Sequence, residues 1–457
     1  MKPTLLRKLT TRDAALIVMG GIIGSGIFRN PSVVAQRLHT APLIMLAWIA
    51  GGAFAILGAL LFAELAARRP RDGGLYAYVR DAYHPVVAFS YGWTLLLVSQ
   101  SGGMASAAII FSSYLATIFG WDPNSDLIGR LVPIAVLAIL TLINCLGVRA
   151  GTSTQNAFMV LKIAAIVGLI VAGLFSPHAV AAAAAERAAT ANGFGLFAIF
   201  MLAIVPVIFS YSGWQTASFM TAELKSPERT LPQGMIWGVL GVVGLYVAVN
   251  LVCLHVLGEG GLANTTTPAS DIARLLLGPK GQIVMATIVA ISTLGFLSNQ
   301  MLVSPRVYFQ MAQDGMFFKQ LAWVHPKTFV PVTAIAVQGV VSALIACWKN
   351  YGQIVNYVTA IDEIFFGLAA IALIIFRIRD RRDGTDAQVG YRMLGYPYTT
   401  ILFLVAAWAV VANLFLHSPS DSLIGLGILL IGVPIYYIFR AAHRRALRQP
   451  PGDTGSG

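Results

Sequence analysis

The stretch Gly20-Gly21-Ile22-Ile23-Gly24-Ser25-Gly26-Ile27-Phe28-Arg29-Asn30-Pro31 decides how this chain reads. It breaks a long apolar run with four glycines in seven residues. Each costs a helix interior up to about 1 kcal/mol relative to alanine, so an unwound segment is one reading. Close helix packing is the other, because Gly20 and Gly24 form a small-xxx-small pair. A second stretch shifts the balance: Phe209-Ser210-Tyr211-Ser212-Gly213-Trp214 interrupts another apolar run. Paired interruptions in corresponding segments of two halves are the mark that discontinuous membrane helices leave in a sequence.

The rest of the chain supplies the membrane. Of 457 residues, 57% are hydrophobic and 11% charged, against about 25% charged in soluble domains. A helix needs about 20 apolar residues to cross a bilayer. Such windows place spans near 13–36, 42–66, 86–118, 129–148, 155–176, 195–222, 234–257, 282–312, 331–348, 353–376, 397–416 and 422–440. With the N-terminus inside, 22 of the 31 basic residues fall on inner segments, among them Arg68, Arg69, Arg377, Arg379, Arg381 and Arg382. Seven fall outside: Arg29, Arg37, Arg130, Arg187, Arg274, Lys280 and Lys349. Lys162 and Arg306 lie within spans. This bias predicts an all-α protein of about twelve spans with both termini cytoplasmic. It also explains the net charge of +12 without nucleic acid. Residues 1–12 lead straight into the first apolar run and read as the approach to a membrane helix, not as a cleaved leader.

Other chemistry is thin. Cys145, Cys253 and Cys347 sit in apolar runs, and the seven histidines are scattered, so neither a disulfide framework nor a metal site is expected. There is no nucleophile–base set, so we expect no enzyme and no cofactor. Residues 258–279 are expected to hold a short helix over the outer mouth. Residues 377–396 mark a boundary before two further spans, and the Pro/Gly-rich tail 442–457 is expected to be disordered.

The breaks have a direct chemical meaning. Opening a helix inside a membrane frees N–H groups at the start of one half and C=O groups at the end of the other, and lipid tolerates neither unless they line a cavity. Free N–H groups at the positive end of the helix dipole suit a carboxylate. Free carbonyls suit an ammonium or another cation. A site with both suits a zwitterion such as an α-amino acid.

Several motifs resemble those of the amino acid–polyamine–organocation (APC) superfamily, and within it the L-type amino acid transporter branch. Gly24-Ser25-Gly26-Ile27-Phe28 resembles the first-helix signature. Glu64-Leu65 with Pro70, Gly73-Gly74, Tyr76 and Tyr78 resembles the loop from second to third helix. Asn144-Cys145-Leu146-Gly147-Val148-Arg149 with Gln155 and Lys162 resembles the fourth and fifth. The sixth-helix break, with Glu223, Lys225, Pro227, Arg229 and Pro232 after it, resembles the sixth helix and its exit. Ser304, Arg306 and Asp314-Gly315 resemble the end of the eighth.

The resemblance implies a LeuT-type 5+5 inverted repeat within one transporter domain, with residues 1–180 as the first repeat, 190–376 as the second and 390–441 as two added helices. It implies a substrate site formed by Ile22, Ile23, Gly24, Ser25, Gly26, Phe209, Ser210, Ser212 and Gly213. The Ser25 and Gly26 amides would take the carboxylate, and carbonyls near Ile22 and at Phe209, Ser210 and Ser212 the amino group, with Phe209 as an outer gate. It implies a coupling role for Lys162, whose ammonium would bridge the first helix near Gly21 to Ser292 or Thr293 on the eighth. Lys162 also reads as a residue snorkelling to the inner interface. With an ammonium in that place, sodium coupling is disfavoured, while exchange, proton symport and uniport stay open.

Small or medium neutral L-amino acids are the expected substrates, because the third span offers only Ser99, Gln100, Ser101, Gly102 and Gly103. Polyamines or cationic amino acids are the alternative, with Asp362 or Glu363 as counter-charge. A non-transporting amino-acid sensor is an alternative of another class. Glu64 and Glu223, at inner helix ends beside Arg and Lys, read as solvated interface charge, with a cytoplasmic salt-bridge gate as the alternative. Heavy subunits of animal relatives attach through a cysteine after the third helix. Residues 120–127 have none, so no disulfide-linked subunit is expected. Gln215 departs from relatives with an acid there. The short termini suggest a bacterial inner membrane.

Overall fold

The computed structural model describes residues 10–70, 73–122, 125, 127–146, 152–175, 193–326, 330–348 and 350–448. The tail after Arg448 and the motif residues Gly147, Val148 and Arg149 lie outside the described residues, as do the side chains of Gln155 and Glu223.

Every regular element among the described residues is helical. The chain runs through α1 (Thr11–Ile22), α2 (Asn30–Leu38), α3 (Ala41–Arg68), α4 (Leu75–Ala82), α5 (Pro85–Thr94) and α6 (Gln100–Phe119). It continues through α7 (Val132–Cys145), α8 (Thr152–Leu174), α9 (Gly193–Tyr211), α10 (Pro227–Ala263) and α11 (Pro268–Val303). It ends with α12 (Pro305–Gln313), α13 (Val332–Trp348), α14 (Tyr351–Arg382), α15 (Tyr398–His417) and α16 (Pro419–Arg448). Nine helices among the described residues are long and apolar enough to cross a membrane. The other expected spans fall on the α1–α2 pair, on α8 with its apolar part Lys162–Leu174, and on Val332–Trp348.

The molecule is inverted relative to a soluble protein. Trp237, Trp348 and Leu416 are 67%, 82% and 76% exposed, whereas Glu64, Asn30, Asn250 and Gln338 are 0% exposed. Apolar side chains face outward where lipid replaces water, and polar ones turn inward to each other.

Small residues set the spacing around the first helix. A Cβ on Gly234 would stand 2.5 Å from Ala14 Cβ, and one on Gly238 2.8 Å from Val18 Cβ, so α10 lies directly on α1. This is the small-residue contact through which membrane helices approach. Residues 258–279 hold two helical arms where one short helix is expected. Gly258 (φ 66°) and Gly278 (φ 75°) bend α10 and α11, leaving arms 259–263 and 268–277. They fasten α2 and α3. Gln36 Nε2 donates to the Ala263 carbonyl at 2.8 Å, and Ser32 Oγ to the Thr265 carbonyl at 2.5 Å. Glu259 accepts from the Ala41 amide at 3.1 Å.

Candidate binding site at two helix breaks

The first break begins where α1 runs out of helical geometry. The Ile23 amide still donates to the Met19 carbonyl at 2.7 Å, and Gly24 turns back to Ile22 at 2.7 Å. A 3-10 turn over Gly26–Phe28 then leads to α2. That turn closes with Phe28 N–H to Ser25 O and Arg29 N–H to Gly26 O, both 3.1 Å. The amides of Ser25, Gly26 and Ile27 precede its first bond, and among the described residues they have no hydrogen-bond partner. These are the orphan donors that any helix start leaves.

The second break ends α9. Ser212 N–H closes the last turn onto Ile208 O at 2.9 Å, and Gly213 then adopts φ 118°. A 3-10 segment, Trp214–Glu223, follows. The carbonyls of Ser210, Tyr211 and Ser212 accept nothing among the described residues.

The two breaks touch. A Cβ on Gly213 would lie 2.3 Å from the Gly21 carbonyl oxygen, and one on Gly21 2.4 Å from Thr216 Oγ1. A Cβ on Gly26 would lie 2.9 Å from Ser210 Oγ. Glycine is therefore required sterically at 21 and 213, and at 213 by φ as well. Phe296 of α11 covers the first break, 3.1 Å from where a Gly24 Cβ would be.

Asn30 pins the arrangement. Its Nδ2 donates to the Pro206 carbonyl at 2.8 Å and to Ser210 Oγ at 2.6 Å, while its Oδ1 accepts from Tyr351 Oη at 2.8 Å. One buried amide thus joins α2, α9 and α14. Pro206 lacks the N–H that would otherwise bond the Leu202 carbonyl, and Arg37 donates to that carbonyl instead. Phe209 is half-buried and meets Tyr351 edge-on, with ring centroids 6.5 Å apart.

Two carbonyls of the first break are already engaged. Ile22 O accepts from Tyr246 Oη at 3.1 Å, and Ile23 O from Lys162 Nζ at 2.8 Å. Lys162 is 4% exposed and does not snorkel. It makes no hydrogen bond with Ser292 or Thr293 among the described residues, and the Thr293 hydroxyl donates to Val289 O at 2.9 Å within α11. The polar groups of the third span are likewise committed. Gln100 Oε1 accepts from Gln300 Nε2 at 3.0 Å and Ser304 Oγ at 2.9 Å, and Ser101 Oγ donates to Leu96 O at 2.5 Å.

Against this geometry, the whole chain can be compared with known proteins. Residues 9–439 match the amino acid permease family. The chain belongs to that family. This permease is 27% identical over 427 residues to the serine/threonine exchanger SteT of Bacillus subtilis, covering 93% of this chain and 94% of that one. It is 30% identical over 435 residues to the large neutral amino acids transporter small subunit 2 of Mus musculus (93% and 80% covered). It is 26% identical over 444 residues to the b(0,+)-type amino acid transporter 1 of Mus musculus (96% and 89% covered). The permease is thus a multi-pass membrane transporter and not an enzyme.

One expectation fails at the end of α3. Glu64 is not solvated but fully buried. It accepts from Arg68 Nε at 2.6 Å, from Arg377 Nε and Nη2 at 2.8 and 2.6 Å, and from the Met393 amide at 2.7 Å. Arg68 continues to Asp380 at 2.7 Å and Asp386 at 2.9 Å. The Arg377 guanidinium lies 3.7 Å from the Tyr396 ring centroid. Glu64 stands four residues before Arg68 at the end of α3, and the packing of α14 against α3 encloses the pair. Asn30, Tyr246 and Tyr351 were missed for the same reason: their roles are set by partners far away in sequence. The one local signal was an asparagine directly after a break.

Proposed function

We propose that this permease carries small or medium neutral L-amino acids by alternating access about the two breaks. The observation that supports this best is the pairing of free donors with free acceptors at touching helix ends. The amides of Ser25, Gly26 and Ile27 suit a carboxylate, and the carbonyls of Ser210, Tyr211 and Ser212 an ammonium. The α-amino group would rest on the second break alone, because Ile22 and Ile23 already have donors. Hydrogen bonds to charged groups contribute about 1.5–3 kcal/mol each, enough to hold a zwitterion against water.

The reading extends to the architecture. Twelve spans in a 5+5 inverted repeat plus two agree with the breaks falling on the first and sixth spans. Cytoplasmic termini agree with the basic bias of the inner segments. A bacterial inner membrane agrees with the likeness to the Bacillus subtilis exchanger. Exchange or proton symport fits a lysine ammonium bound to the first break. Residues 120–127 contain no cysteine, and the reading is of a permease without a disulfide-linked subunit.

The test is counterflow. Purified protein in liposomes preloaded with each of the twenty amino acids, putrescine or agmatine should take up its labelled counterpart only for a subset of neutral L-amino acids. Uptake confined to diamines or cationic amino acids would replace the substrate class. Thermal stabilisation by neutral amino acids without counterflow would favour a sensor.

A further inference from the structure

The site above leaves one buried acid unused. Asp362 and Glu363 stand side by side inside α14, a candidate membrane span. Asp362 has a partner, since Ser99 Oγ donates to it. Ser99 ends a π-helical turn over Leu95–Ser99, a feature frequent at functional sites. Glu363 is different. Its side chain is buried, and neither carboxylate oxygen has a hydrogen-bond partner among the described residues. One turn earlier, the buried Thr359 hydroxyl is also unpartnered among the described residues. Residues four apart share a helix face, so the two orphans lie together. Three residues on, Phe366 packs against Trp214, directly after the second break, with ring centroids 5.2 Å apart.

A bare carboxylate there would be an uncompensated charge in a low-dielectric interior, which costs several kcal/mol. Two buried cations are committed elsewhere: Lys162 to Ile23, and Arg377, about four turns further along α14, to Glu64. The titratable neighbours are Asp362 on the same helix, beside Glu363, and Tyr91 of α5, beside Asp362. Neither brings positive charge. A metal cation needs several oxygens to replace its water, and this face offers one carboxylate and one hydroxyl. A proton needs one oxygen.

We propose that Glu363, with Thr359 beside it, is an exchangeable proton site that couples the permease to the proton gradient. The proposal rests on the transporter reading above. With its proton, Glu363 is a neutral group that a packed helix can bury. Without it, the carboxylate favours whichever conformation admits water to this face. A ligand that binds two states unequally shifts their balance, and here that ligand is the proton.

The test has two readouts. In the infrared spectrum of purified protein at neutral pH, a carboxylic-acid C=O band should be present and should be lost in Glu363→Gln. In liposomes, an inward gradient of one pH unit should raise accumulation of a neutral amino acid towards tenfold, the limit for one proton per substrate, and Glu363→Gln should abolish that gain. Monodispersity on size exclusion, with Glu363→Asp as a second variant that keeps the acid and its band, separates loss of the site from misfolding. Counterflow at equal pH is measured first. Its absence in the unmodified protein would sink the transporter reading, while the infrared band would still decide for or against a proton on Glu363. Counterflow with no response to pH, no band change in Glu363→Gln, or accumulation driven by a sodium gradient instead would overturn the proton site.

Discussion

At the scale of single residues, the breaks are held by close contacts that tolerate few substitutions. Gly213 combines φ 118° with a Cβ position 2.3 Å from the Gly21 carbonyl oxygen. Gly213→Ala therefore faces both backbone strain, about 1–3 kcal/mol, and a clash with main chain that cannot rotate away. A lower melting temperature with loss of counterflow is expected, and a variant as stable and active as the parent would show that the breaks do not touch as described. Asn30→Ala should strand the buried Tyr351 hydroxyl, at about 1–3 kcal/mol, whereas Ser210 Oγ and the Pro206 carbonyl keep their bond to each other at 2.8 Å. Thermal unfolding in detergent reads this directly. The glycines were legible in the sequence because a second interruption, at 209–214, favours unwinding over close packing as their explanation. Asn30 was not, because an asparagine acquires its meaning from α9 and α14, which the local sequence does not show.

At the scale of elements, Pro206 and Arg37 illustrate compensation between helices. The proline deprives Leu202 O of its intrahelical donor, and a basic residue of α2 supplies one. Replacing Arg37 by Met should cost about 1–3 kcal/mol by stranding that carbonyl. In a Pro206→Ala background the new N–H can take over, so the same replacement should cost clearly less. A double-mutant cycle on melting temperatures measures the coupling, and strictly additive effects would refute it. Counting charges along the sequence assigns Arg37 an expected side of the membrane, and it does not assign a partner.

At the scale of the whole molecule, one end of the bundle is tied by a buried charge network running from α3 through α14 to the segment before α15. Removing one partner of a buried pair costs about 3–5 kcal/mol, so Glu64→Gln should lower the melting temperature more than any substitution among the lipid-facing residues. Asp386 lies between α14 and α15, outside the candidate spans. Partial desolvation pushes its carboxyl up, but the Arg68 guanidinium, aided by Arg392, holds it below its ordinary value. The sign follows: its stabilising effect is present above about pH 4, the unfolded value, and is lost as pH falls through the lowered folded value. Asp386→Asn should therefore flatten the acid limb of a stability–pH curve and leave the neutral region nearly unchanged in slope. Membrane character was readable because hydropathy is a property of composition. The network was not, because it joins residues more than three hundred positions apart.

The central claim is that one amino acid bridges the breaks, its carboxylate on the Ser25, Gly26 and Ile27 amides and its ammonium on the end of α9. The most direct measurement is binding of matched ligands by thermal shift, taking L-threonine, its carboxamide and 3-hydroxybutyrate, or the same trio built on whichever amino acid drives counterflow. Each modified ligand keeps the side chain and loses one charged group. The account predicts stabilisation by the amino acid, and at least tenfold weaker binding for either analogue, the equivalent of one charged hydrogen bond of about 1.4 kcal/mol. Equal binding of the carboxamide would contradict a carboxylate held at the first break, and equal binding of the deaminated acid would contradict an ammonium held at the second.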